Sequence, residues 1–130
     1  NKLGMGCIAF SPLAQGMLSE KYINKIPKIS RANEDSSLSP KLITKSYKEK
    51  IINLKKIAHK RNQTISQMAL SWVLRHKEVT SALIGARTLK QLDECLDSLN
   101  NLNFNTEELK SIDKFAKEED INLWAASSKI

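Results

Sequence analysis

The chain has 130 residues and a formal net charge of +7, with 41% hydrophobic and 27% charged residues. This balance is ordinary for a globular protein and excludes the collagen-like, disulfide-scaffold and disordered classes. No apolar run approaches the roughly 18 residues of a membrane-spanning helix, so no membrane association is expected. No secretory leader is recognisable, and the two cysteines form no metal or redox motif. We therefore expect a cytoplasmic protein.

The first 40 residues predict a strand followed by a long loop. Residues 6–10 are almost continuously apolar and are bounded by Gly6 and Ser11-Pro12, which is typical of a strand buried on both faces of a parallel sheet. Residues 11–40 show little periodicity, apart from one short helix expected near residues 13–21. Loops of this length inside a compact domain are usually functional.

Two helices are predicted next. Ser39-Pro40 has the pattern of an N-cap followed by proline in the first turn, and a helical apolar stripe follows it. Thr64 and Gln67 have the spacing of a capping box at the start of a second helix. The stripe of the first helix consists of Tyr47, Ile51, Leu54 and Ala58.

A second strand and two further helices complete the predicted order. Residues 79–84 are a strand candidate that ends at Gly85, and Thr88 and Gln91 predict another capping box. Acidic residues after Thr106 predict the start of a last helix, because carboxylates are favoured in a first turn. Strands that alternate with helices imply an α/β fold with a parallel sheet. Two short strands do not complete such a sheet, and the chain begins with Asn1 rather than Met. We therefore expect the last part of a larger α/β domain.

The positive charge is concentrated in residues 41–61, where eight basic residues face only Glu49. Such a segment could bind nucleic acid or another acidic surface, or it could be a solvated helix face. The basic residues are almost all lysines, which read bases poorly, and few aromatic residues accompany them. This composition favours the solvated face, and we expect no specific nucleic-acid partner.

The ends of the two predicted strands are candidate ligand sites, because ligands of parallel α/β folds bind at the carboxyl ends of strands. Gly85 and Arg87 precede a helix N-terminus, which is an arrangement suited to an anion such as phosphate. The same residues also fit an ordinary turn, in which Gly85 supplies backbone freedom while Thr88 and Gln91 serve as caps. The pattern alone leaves both interpretations open.

Several motifs follow one another along the chain: residues 10–16, Lys21-Tyr22, Ile26-Pro27, Ser30-Arg31, residues 67–74, residues 79–81 and 83–87, and Gln91 with Glu94. Their order and spacing resemble those of the aldo-keto reductases, in the branch that contains bacterial glyceraldehyde 3-phosphate reductases and potassium-channel β subunits. The tail, residues 121–128, is most similar to the bacterial members.

The resemblance implies a (β/α)8 TIM barrel that binds NADP(H). Residues 1–130 would be its C-terminal fragment, with the last two strands, their loops and the closing helices, and would be incomplete as a domain. The implied cofactor-binding residues fall into three groups. Phe10, Ser11, Pro12, Leu13, Ala14 and Gly16 would lie along the nicotinamide and pyrophosphate; Lys21 and Arg31 would contact the phosphates; Gly85, Arg87, Gln91 and Glu94 would hold the adenosine 2′-phosphate and adenine.

One residue departs from the family pattern. This branch usually has Asn directly after the Glu of the adenine group, whereas this chain has Cys95. The substitution removes an amide that could hydrogen-bond adenine.

The resemblance also implies that the catalytic Asp, Tyr, Lys and His of the family lie upstream of this chain. We therefore assign no catalytic residue and no metal ligand here, and Lys21 with Tyr22 is not the catalytic pair. Tyr47 and Trp72 are expected to be packing residues. Trp124 lies in the tail, which in this family can border the substrate mouth or a subunit interface; a structural role is favoured slightly over a functional one.

Two functions follow from the resemblance. The first is the cofactor-binding part of an NADPH-dependent oxidoreductase that reduces small aldehydes or ketones. The full-length protein could form a homo-oligomer. The alternative is a catalytically inactive truncated remnant that acts at most as a weak nucleotide-binding or interaction module.

Overall fold

The computed structural model describes residues 3–33 and 38–117, which form an α/β chain with a small parallel sheet. Its helices and strands follow the predicted order. The elements are β1 (Cys7–Phe10), α1 (Lys45–Lys60), α2 (Ile65–Leu74), β2 (Val79–Leu83), α3 (Leu89–Asp97) and α4 (Thr106–Asp113).

The two strands pair in parallel, as the alternation of strands and helices predicts. The register places Phe10 opposite Leu83, so both strands end at the same edge of the sheet. Just before β1, Gly6 lies against β2: a Cβ at this position would be 2.0 Å from the Oγ1 atom of Thr80. Only a residue without a side chain fits there while Thr80 keeps its conformation.

The prediction that β1 is buried on both faces is wrong for this chain. Ile8 is 67% exposed and Phe10 60% exposed, and Leu83 of β2 is 63% exposed. The reason is that, within the described residues, each strand has only the other as its hydrogen-bonded neighbour. The apolar character of β1 is real, but the chain covers little of it.

The hydrophobic core lies instead between α1, α2, α4 and the loop that follows β1. The predicted stripe of α1 is buried as expected. The loop contributes side chains of its own to the same cluster. The buried cluster consists of Met17, Tyr22, Ala32, Leu38, Tyr47, Ile51, Leu54, Ala58, Ile65, Met68 and Ile112.

The loop between β1 and α1 differs from its prediction in two places. Residues 13–21 form no single helix; two short 3-10 turns, Ala14–Gly16 and Glu20–Tyr22, occupy this region. Ser39 and Pro40 begin another 3-10 turn, Pro40–Leu42, and α1 itself starts at Lys45 with Thr44 as its N-cap. Proline suits a first turn of either kind, which is why the sequence pattern placed the helix start too early.

Helix caps explain most of the observed helix starts. The capping box of Thr64 and Gln67 at α2 is confirmed. A second box, which the sequence analysis did not identify, joins Asn105 and Glu108 at α4. Each box satisfies two backbone N–H groups that a helix start would otherwise leave unpaired.

Arg61, the C-cap of α1, connects the helical core to the segment that leads from α3 to α4. Its guanidinium group is 2.8 Å from a carboxylate oxygen of Glu108 and donates to the backbone carbonyls of Asn101 and Asn103. The ring of Phe104 lies 3.7 Å from the guanidinium carbon. Arg61 thereby fixes the position of the chain beyond α3.

No helix in the described part of the chain is long and apolar enough to cross a bilayer.

Candidate functional site

A groove of about 860 Å³ runs along the edge of the sheet where both strands end. Three segments form its walls: the loop after β1, the first turn of α2, and the segment from the end of β2 into α3. The volume lies in the range of about 300–1,000 Å³ that is usual for small-molecule and cofactor sites. The groove therefore occupies the place where the strand order predicts a ligand.

The loop wall of the groove has an unusual backbone. Ser11, Ala14 and Gln15 have φ angles of 50°, 46° and 59°, and Gly16 follows with a φ of 91°. Residues other than glycine in this left-handed region cost energy, and such residues cluster at functional sites. A strained turn beside the groove is consistent with a loop shaped for a ligand.

The strained turn is held in place from the core side. The hydroxyl of Tyr47 on α1 donates to the carbonyl of Met17 at 2.6 Å, and burial raises the pKa of Tyr47, so this hydroxyl remains a donor at neutral pH. Ser66 on α2 donates to the carbonyl of Leu18 at 3.3 Å. The carbonyl of Gly16 accepts a hydrogen bond of 2.6 Å from the Ser19 hydroxyl. The bonds from Tyr47 and Ser66 attach the groove wall to α1 and α2, and the Ser19 bond closes the turn on itself.

The start of α3 forms the opposite wall. The Thr88 side chain accepts from the backbone N–H of Gln91, as predicted, but the rest of the predicted capping box is wrong. The Gln91 side-chain oxygen accepts instead from the N–H of Arg87, one residue before the N-cap, at 2.9 Å. The Gln91 side chain thus folds back toward the turn that carries Arg87, and it fixes the backbone of that exposed residue at the groove.

Glu94 lies one turn further along α3 and is half-buried. Its carboxylate accepts a hydrogen bond of 2.9 Å from the hydroxyl of Thr64, the N-cap of α2. The next residue, Cys95, is buried, and burial together with the neighbouring Glu94 raises the pKa of its thiol. Cys95 is therefore a neutral, apolar part of the wall at the position where the family branch usually has an amide.

The structure brings almost all predicted cofactor residues to this one groove. Ala14 does not line it; its side chain packs against the hydrophobic core. The predicted residues that line the groove are Phe10, Ser11, Pro12, Leu13, Gly16, Lys21, Arg31, Gly85, Arg87, Gln91 and Glu94.

Several groove residues were not identified from the sequence. The most informative are Thr64, Ile65 and Ser66 at the start of α2, together with Glu20. Thr64 was recognised only as a helix cap, because the pattern of a capping box gives no information about what else the hydroxyl contacts. A helix start that faces the carboxyl end of a parallel strand was the available signal.

Other residues that the sequence analysis discussed lie in or against the hydrophobic core. Tyr47 is buried in the core, and Trp72 packs against it. Tyr22 is fully buried beside Lys21, whose ammonium group lies 5.6 Å from the Tyr22 ring centre. Trp124 lies outside the described residues. Within residues 3–33 and 38–117, no group of three or more His, Cys, Asp or Glu side chains could hold a metal ion.

Comparison of the sequence with known proteins identifies the family of this chain. A sequence model described as the Aldo/keto reductase family matches residues 1–117. The L-glyceraldehyde 3-phosphate reductases of Escherichia coli O157:H7 and of Escherichia coli strain K12 are each 46% identical to this chain over 129 residues, which cover 96% of the chain. The chain spans 37% of the length of these two relatives. It belongs to the aldo/keto reductase family.

Proposed function

We propose that this chain is the NADP(H)-binding C-terminal part of an oxidoreductase that reduces small aldehydes or ketones. Members of the family generally use NADP(H). The observation that carries the proposal is the groove: residues implied by the family resemblance, which come from two segments of sequence more than 50 residues apart, line one continuous cavity.

The chemistry of the groove fits a dinucleotide with an extra phosphate. Lys21, Arg31 and Arg87 supply positive charge to its walls. Arg87 stands directly before the first turn of α3, where helix N–H groups and the helix dipole favour an anion. A guanidinium group offers a planar set of donors that matches phosphate oxygens. Arg87 with the start of α3 would hold the 2′-phosphate of the cofactor.

The remaining walls suit the other parts of the cofactor. Gln91 and Glu94 present an amide and a carboxylate, which can hydrogen-bond the edge of adenine. Phe10 and the strained loop that follows it would border the nicotinamide and pyrophosphate. When bound, the cofactor supplies the hydride for the reduction, whereas the protein supplies position and electrostatics.

The fold proposed for the whole protein is a TIM barrel in which β1 and β2 are the last two strands. The exposed apolar side chains of both strands support this proposal, because a parallel strand is normally covered on both faces. The 37% coverage of the relatives supports it as well. Further strands would extend the sheet at both edges and bury residues such as Ile8 and Leu83.

The substrate class and the catalytic residues follow from the same proposal. The relatives are named for reduction of L-glyceraldehyde 3-phosphate, and a small phosphorylated aldehyde is the proposed substrate. The proton donor and its partners would come from the part of the barrel that precedes this chain. If the cell makes only these residues, the product is instead an inactive remnant, and the intact mass of the native protein distinguishes the two cases.

The proposed role of Arg87 is tested by the substitution Arg87→Ala in the full-length protein. We expect the dissociation constant of NADPH to rise about tenfold or more, because a charge-assisted bidentate contact is lost. That of NADH should change about twofold or less, since NADH has no 2′-phosphate. Fluorescence titration of both cofactors measures the difference. Lys60→Ala, an exposed change in the last turn of α1, is the control; equal losses for both cofactors would contradict the proposal.

A further inference from the structure

We propose that Thr64 is a positioning residue that holds the Glu94 carboxylate in place for recognition of the purine base. The inference rests on the proposed binding of NADP(H) and assigns a second role to a residue that otherwise only caps α2. It concerns which base the groove accepts, rather than how strongly the phosphates bind.

The hydrogen bonds of the Thr64 hydroxyl determine where its proton goes. A hydroxyl group has one proton to donate and two lone pairs to accept with. The Thr64 oxygen accepts from the backbone N–H of Gln67 at 3.2 Å, and this bond uses a lone pair. The proton therefore remains for Glu94, whose carboxylate oxygen lies 2.9 Å away. Capping and holding Glu94 are simultaneous and do not compete.

Thr64 is itself fixed, so it can serve as a reference point. Its backbone N–H donates to the Gln67 side chain at 2.8 Å. The preceding residue, Gln63, donates from its buried side chain to Ser71 at 2.9 Å and to the carbonyl of Asn101 at 3.1 Å. The turn between α1 and α2 is thus bonded both to α2 and to the chain beyond α3. Glu94 is held by a residue that cannot move independently of the core.

The hydrogen bond to Glu94 matters because the glutamate side chain is long and this one is only partly buried. A free glutamate side chain loses rotamer entropy when it engages a ligand. With one carboxylate oxygen bonded to Thr64, part of that loss occurs on folding, and the second oxygen can accept a hydrogen bond from the base. The 6-amino group of adenine donates to a carboxylate, whereas hypoxanthine presents a carbonyl oxygen at the same position and would be repelled.

The test measures base selectivity in the full-length protein. The probes are NADPH and its analogue in which hypoxanthine replaces adenine, and the readout is the ratio of their dissociation constants. We expect Thr64→Val to reduce the wild-type preference for adenine about fivefold, which is the net scale of one ordinary hydrogen bond. Thr64→Ser keeps the hydroxyl and should restore the preference.

Two variants separate positioning from helix capping. Thr64→Asp keeps a good N-cap acceptor but has no proton for Glu94 and repels it, so it should lose the preference while the helix start is retained. Thr44→Val removes the equivalent cap of α1, where Thr44 accepts from the N–H of Tyr47 at 3.0 Å, and should leave the preference intact.

The outcomes distinguish the inference from the proposed function. If the wild-type protein binds neither dinucleotide, the proposed function fails and this inference fails with it. If the wild type prefers the adenine dinucleotide and Thr64→Asp keeps that whole preference, only the positioning role of Thr64 is overturned. A loss in Thr64→Asp and Thr64→Val with recovery in Thr64→Ser supports it.

Discussion

The helices α1 and α3 both carry an apolar stripe, but only the stripe of α1 is buried. On α1, the side chains of the predicted stripe are buried, and Leu54 is 5% exposed. On α3, Leu89, Leu92 and Leu96 recur at helical spacing but remain exposed, and Leu96 is 52% exposed. Both stripes look alike in the sequence. Periodicity therefore identifies a face that is suited to burial, but it does not say what buries it.

The packing of α3 shows why its stripe remains uncovered. The residues of this region that are buried toward α2 are small, namely Cys95 and Ser98, and Ser98 is joined to α2 through the Ser71 hydroxyl, which donates to the Ser98 carbonyl at 2.9 Å. This contact is close and polar, and it leaves the leucines on the other side of the helix. A second apolar partner, such as the rest of a barrel, would be needed to cover them.

The largest expected effect tests this comparison directly. Leu54→Ala should lower the free energy of unfolding of the full-length protein by about 3 kcal/mol, since it removes a buried side chain and leaves a cavity. Leu96→Ala should cost about 2 kcal/mol if the proposed barrel covers α3, but less than about 0.5 kcal/mol if this face is exposed. Urea unfolding of both variants measures the two values. A negligible loss for Leu96→Ala would argue against the proposed barrel.

Arg61 connects the end of α1 to the segment between α3 and α4, and its removal should show how far the stability of α3 depends on the helical core. Arg61→Ala should destabilise the protein by about 2–3 kcal/mol, because the Glu108 carboxylate and two backbone carbonyls lose a buried donor. We expect the loss to appear as faster hydrogen exchange in α3 and α4, with α1 and α2 changed less. Uniform acceleration across all four helices would show that Arg61 does not act at this junction. Lys56→Ala, on the exposed side of α1, serves as the control.

The smallest effect concerns the pH dependence of the core. Burial, with a contribution from Tyr22, raises the pKa of Tyr47, so above pH of about 10 the unfolded chain loses this proton while the folded chain keeps it. Stability should therefore fall with rising pH, by at most about 1.4 kcal/mol per pH unit for this group. Tyr47→Phe should cost about 1 kcal/mol at pH 7, through the lost bond to Met17.

At alkaline pH the cost of Tyr47→Phe should shrink, because the variant has no proton to lose at this position. Urea unfolding between pH 7 and pH 11 measures whether the difference in stability between the wild type and the variant decreases as the pH rises. Parallel curves for the wild type and the variant would mean that Tyr47 does not titrate in this window.

The sequence was most informative where the determinants are local. The N-caps Thr64 and Thr88 and the stripe of α1 were all recognisable, because capping and helical periodicity depend on residues three or four positions apart. The burial of β1 was not, since it depends on which other elements cover the strand, and within the described residues β2 is its only hydrogen-bonded neighbour. The bond between Thr64 and Glu94 joins residues 30 positions apart, and no local pattern could indicate it.

The close approach of Gly6 to Thr80 restricts how this chain can vary. Because a Cβ at position 6 would overlap the Thr80 side chain, the two positions cannot enlarge independently. A larger residue at position 6 would require glycine or alanine at position 80, or a wider separation of the strands. We therefore expect the two sites to be linked in any library of functional variants, with a larger residue at position 6 surviving only where position 80 has become smaller.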